Sequence, residues 1–199
     1  MTRNTASRML MTLTPALLVG AVAIALVGAG RAGEASAGEN PSAPDVPAAE
    51  VSPACLTDDL TGTVTGLPRP ARPGAREALL SLTNTSGRAC RVQGWADIAL
   101  VTAPGDLVRI PTRQVGQAAG GPGILLLPQA SAWSRVEWDG CVPGRANCGV
   151  GVAWQYIVDP DSTGAVADTI GVPEADQDGV AMSAMRISPL SETRAAALS

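Results

Sequence analysis

Residues 79–95, LLSLTNTSGRACRVQGW, decide how the chain is read. Leu80 and Leu82, with the methyl group of Thr83, mark an extended apolar run that stops at Asn84. Asn84-Thr85-Ser86-Gly87 is made of turn residues and ends in a glycine free to take positive φ. Beyond it Cys90, Val92 and Gly94 alternate with Arg91, Gln93 and Trp95, the period of two of a strand with unlike faces. The stretch reads as a hairpin, Glu77–Thr83 against Ala89–Trp95, with a cysteine in its second strand.

Working outward, 22 glycines and 16 prolines in 199 residues suit many short strands rather than long helices. Leu60–Gly66 reads as a strand, and 67–74, with three prolines, as a connection. Ile98–Thr102 and Leu107–Ile110 flank Pro104-Gly105-Asp106 as a second hairpin. A loop with Gly116, Gly120, Gly121 and Gly123 leads to the apolar run Ile124–Leu127. Further strands are predicted over Ala132–Trp138, Val150–Val158, Ala165–Val172 and Val180–Leu190. This spacing predicts an all-β, immunoglobulin-like β-sandwich of about eight or nine short strands over 55–190, with a tail at 191–199.

The N-terminus reads as a helical signal segment. Arg3 and Arg8 precede Met9–Gly30, 22 residues without charge, and Ala35-Ser36-Ala37 fits an A-x-A cleavage site. Residues 1–37 are then a signal peptide, with an uncleaved membrane anchor as the alternative because the run can span a bilayer. Residues 38–54, rich in Pro and Ala, read as a disordered linker. Loss of 1–37 takes three arginines and one glutamate and moves the net charge from −4 to −6. That balance argues against nucleic acid and anionic membrane surfaces as partners. A secreted location follows, with the membrane touched only through an uncleaved N-terminal segment.

The chain has no histidine and no lysine, so all 14 basic residues are arginines. This removes the usual general base, Ser-His-Asp arrangements, most zinc sites and Schiff-base chemistry. Carboxylates remain, and a glycosidase needs two of them across a cleft. Asp58-Asp59 and Asp159/Asp161 lie beside turn residues and read as solvated turn carboxylates. Glu174-x-Asp176-x-Asp178-Gly179 has calcium-loop spacing, but Met185 fills the twelfth position, so it reads as a polar loop. No catalytic, cofactor or metal residue is assigned. With no Phe and one Tyr, most of the four tryptophans must fill the core. Trp133, sharing a face with Arg135 and Glu137, is the candidate ligand contact. The Asn84-Thr85-Ser86 sequon is better explained by turn geometry than by glycosylation.

Cys55, then LTNTSGRACRVQGW, LLLPQASAWSRVEW and MRISPL, in that order, resemble the family called domain of unknown function 4232. Asn84, Ser86, Gly87, Cys90, Gly94, Pro128, Trp138, Pro189 and Leu190 occupy its motif positions. The resemblance implies a secreted or lipoprotein β-sandwich of high-GC Gram-positive bacteria and carries no reaction. Gln129 stands where the family has glycine, Trp95 where Tyr or Phe is usual, and Cys148 comes earlier than the family's fourth cysteine. Four cysteines in an exported chain read as two disulfides with three possible connectivities, of which Cys55–Cys90 with Cys141–Cys148 is favoured. A redox or metal site would need C-x-x-C spacing or histidines. The expectation is a non-enzymatic binding or cell-envelope interaction module of unknown ligand. The alternatives are a hydrolase acting on envelope polysaccharide and a structural spacer.

Overall fold

The structure is a computed structural model describing residues 52–68, 70, 72–172 and 179–199. The expected signal segment, nearly all of the expected linker and the acidic stretch 174–178 lie outside the described residues. No helix among the described residues is long and apolar enough to cross a membrane.

The described chain is all-β apart from a 3₁₀ turn at Thr57–Asp59 and one short helix. Its strands are β1 (Leu60–Gly66), β2 (Ala75–Asn84), β3 (Cys90–Val92), β4 (Asp97–Val101), β5 (Leu107–Val108) and β6 (Thr112–Gln114). They continue as β7 (Ile124–Leu126), β8 (Ser131–Gly140), β9 (Gly149–Gly151), β10 (Ala153–Ile157), β11 (Ala165–Ile170) and β12 (Val180–Ile187), and α1 spans Arg194–Ala197. Ten strands form one nearly closed sheet, β5-β4-β10-β11-β1-β2-β8-β12-β6, with β9 also on β12, while β3 and β7 pair separately. The count is twelve against the expected eight or nine, and two extended runs change partners midway. Residues 107–114 leave β4 for β12 and become β5 and β6. Residues 149–157 leave β12 for β4 and become β9 and β10.

The expected central hairpin is not one. β2 is paired on both edges, with β1 on one side and β8 on the other, so no edge remains for β3. β3 pairs instead with β7, Cys90 opposite Leu126 and Val92 opposite Ile124. The turn between them is a corner that carries the chain to the small sheet. Asn84 builds that corner: fully buried, it donates from Nδ2 to Arg88 O (2.8 Å) and Leu126 O (3.0 Å), and accepts from Ser86 N (3.0 Å) and Oγ (2.7 Å). The second expected hairpin does form, as β4 and β5 around Gly105 at φ +96°.

Alternation sorts the side chains as a half-buried sheet requires. Val64, Leu80, Leu82, Val136, Met182 and Ile187 meet inside with Leu100, Trp154 and Tyr156. Trp138 and Trp154 pack edge to face, centroids 5.3 Å apart, supplying the aromatic volume that Phe would otherwise give. Tyr156 reaches across the core to donate its hydroxyl to Leu60 O at 2.6 Å. The C-terminal residues, read as a tail, are bonded in: Trp133 and Ser191 exchange backbone hydrogen bonds, α1 packs on β8 and Ala197 is buried.

Candidate functional site

Asp59, Asp159 and Asp161, among the carboxylates that sequence reasoning singled out, serve local structure. Asp159 accepts from Thr57 N (3.0 Å) and Oγ1 (3.2 Å), tying the β10–β11 turn to the 3₁₀ turn. These bonds, led by the Thr57 N–H, hold its carboxyl below the ordinary aspartate range. Asp59 accepts from Leu56 N and pairs with Arg88 at 2.8 Å. Asp161 donates its backbone N–H back to Asp159.

A charge cluster that sequence spacing did not reveal lies on the outer face of β2, β8 and β12. Glu77 and Glu137 are register partners on adjacent strands, and both are buried. Two like charges so placed repel unless compensated. Arg72, in the β1–β2 connection, reaches Glu137 at 2.5 Å and Asp139 at 2.7 Å. Arg186 on β12 approaches the same two carboxylates at 3.2 and 3.4 Å, and Arg135 approaches Glu77 at 3.4 Å. The hydrogen bond from Arg72 holds Asp139 below the ordinary aspartate range, the direction opposite to what a general acid requires. Arginines thus stand against all three carboxylates of the cluster. Its only signal in the sequence is Glu77 and Glu137 in strand runs rather than turns, which cannot reveal that the two strands are neighbours.

A cleft of about 650 Å³ lies between the glycine-rich loop 116–123, the end of β3 and the C-terminal segment. Its walls present the amides of Gln93 and Gln117, the hydroxyls of Ser191 and Thr193, and the apolar Ile124 and Leu190. Glu192 is the one charged residue in its lining. The loop is anchored against β3. Gly123 sits at φ +80°, and a Cβ there would lie 2.7 Å from Val92 O. Gln93 Nε2 donates to Gly121 O, and Trp95 Nε1 donates to Val115 O. Trp133, the candidate ligand contact, is half-buried on the outer face of β8 and does not line this cleft.

The sulfurs pair as Cys55–Cys90 and Cys141–Cys148, with Cα separations of 4.8 and 5.7 Å. Cys55 and Cys90 are buried in the core, and the second pair closes a loop after β8. Among the described residues no group of three or more Cys, Asp or Glu side chains is placed to hold a metal. No curated protein and no solved structure matches the chain. Residues 55–195 match the family described as Domain of unknown function (DUF4232), from the first paired cysteine to the helix that closes the cleft, and the chain belongs to that family.

Proposed function

We propose that the chain is an exported, non-enzymatic binding module that takes an uncharged ligand, a short glycan or peptide of the cell envelope, in the cleft beside the glycine-rich loop. The carrying observation is that cleft: about 650 Å³, within the size range of ligand sites, lined by amides, hydroxyls and small apolar groups. Its walls are stiffened by backbone close contact at Gly123 and by the bonded C-terminal segment. Export is supported by the leader-like residues 1–37 and by two disulfides, which persist in oxidising compartments. A non-catalytic role is supported by the arginine pairing of Glu77, Glu137 and Asp139.

The test is thermal unfolding of the exported chain against neutral envelope glycans, cell-wall peptides and small metabolites. A ligand at a hundred times its Kd adds about 2.7 kcal/mol and raises the midpoint by several degrees. Ala119→Trp, which fills the cleft, is expected to abolish that shift while leaving the unliganded midpoint near the parent's. Glycan cleavage that Glu137→Gln abolishes would make the protein a hydrolase. No shift with any compound would leave it a spacer.

A further inference from the structure

The partner change along residues 107–114 leaves a seam in the otherwise nearly closed sheet. β5 follows β4, and after Pro111 β6 follows β12. Between the start of β4 and β6 lies a groove of about 520 Å³ with the buried Ile187 in its wall.

Both banks carry strand backbone without a strand neighbour among the described residues. Val101 O accepts from Val152 N, on the β10 side, and Thr102 N donates to Asp106 O, on the β5 side. Alternation then turns the N–H and C=O of Ile98 into the groove, beyond the reach of the two-residue β5. On the opposite bank Met185 N donates to Pro111 O and Val115 N donates to Ile187 O, so residues 111, 113 and 115 face β12. Thr112 and Gln114 therefore offer their N–H and C=O to the groove. β6 ends the sheet among the described residues.

Charge narrows the occupant. Arg113 is register partner to Arg186, which is already engaged by Glu137 and Asp139. Arg113 itself is exposed and makes no ion pair among the described residues. A second copy joining β6 to β6 about a two-fold axis at its middle residue would set Arg113 against its own counterpart. Asp97, on the β4 bank, is the one carboxylate lining the groove.

We infer that this seam is an acceptor for an extended segment of a different protein, which adds as a strand along β6 and sets an acidic side chain against Arg113. The inference rests on the reading of the domain as a binding module but uses a separate surface. Strand addition supplies affinity through main-chain hydrogen bonds and selectivity through alternate side chains.

The probe is a capped, dye-labelled peptide alternating valine and glutamate, titrated into the exported chain by fluorescence anisotropy. Saturable binding is expected, weaker by about tenfold for the lysine counterpart and for Arg113→Glu with the glutamate peptide. Gln114→Pro removes a groove-facing N–H and none of the bonds to β12, and is expected to abolish binding; edge strands tolerate proline at such positions. Should that variant fail to fold, N-methylation of alternate peptide amides makes the same test on the unaltered protein. Absence of binding up to ~1 mM peptide, or binding indifferent to Gln114→Pro and to N-methylation, would overturn the inference. So would a dimer that Gln114→Pro dissolves, which would make the occupant a second copy. Midpoint shifts from cleft ligands are expected to survive these substitutions, so failure here leaves the cleft reading standing.

Discussion

Asn84 shows how one side chain can direct the path of a chain. Its amide donates to the carbonyls of Arg88 and Leu126 and accepts from the Ser86 N–H and hydroxyl, closing the corner between the large and small sheets. Asn84→Ala strands buried polar groups and is expected to cost about 2–3 kcal/mol, read as a lower urea midpoint with unchanged slope. Asn84→Asp is expected to cost at least as much, because a carboxylate donates to neither carbonyl. A loss below about 0.5 kcal/mol in both variants would mean the corner is held by other groups. The same burial means that the folded chain offers no glycan acceptor at the sequon. That residue's role was legible in the sequence as turn chemistry. What was not legible was the turn's destination, because the alternation of Cys90 and Val92 names a strand and not its partner.

At the scale of elements, the titratable groups act at the two ends of the pH range. Arg72, on the β1–β2 connection, depresses Asp139 on β8, and Thr57 depresses Asp159. A carboxyl depressed in the folded state contributes stability that is complete above the ordinary value of 3.8 and is lost as pH falls through the folded value. Burial raises the Tyr156 phenol above its ordinary value of 10.0, so its contribution is complete below that pH and is lost as pH rises through the folded value. With no histidine to titrate between, denaturation midpoints are expected to stay level from about pH 5 to 9 and to fall on both sides. Asp139→Asn is expected to shallow the acid limb and Tyr156→Phe the alkaline one. A sloping profile across neutral pH would show that some other group governs stability. The outer charge cluster that creates part of this behaviour was hidden in the sequence. Glu77 and Glu137 lie 60 positions apart, and only the antiparallel register of β2 and β8 makes them neighbours.

For the molecule as a whole, two covalent links of unequal reach constrain the unfolded chain. Cys55–Cys90 spans 35 positions and Cys141–Cys148 spans seven. In the chain-entropy account these are worth about 4 and about 2.5 kcal/mol. Replacing the first pair by alanines is expected to lower stability more than replacing the second, because it also opens a void in the core. A difference of only about 1.5 kcal/mol in calorimetry would show that the buried pair contributes no more than its loop closure. The all-β class and the β4–β5 hairpin were readable from turn residues, and of three possible cysteine connectivities the favoured one forms. The near-closed sheet was not, since it depends on where residues 107–114 and 149–157 change neighbours. The cleft was not readable either, being built from a glycine-rich loop and residues 189–196, which carry no motif of their own. Its construction has a practical side. Thr193 and Ala196 form part of its wall, and Thr193 Oγ1 accepts from Ala196 N at 3.1 Å. A reporter dye attached through a substituted Ala196, which is exposed, would stand at the cavity wall and sense an incoming molecule.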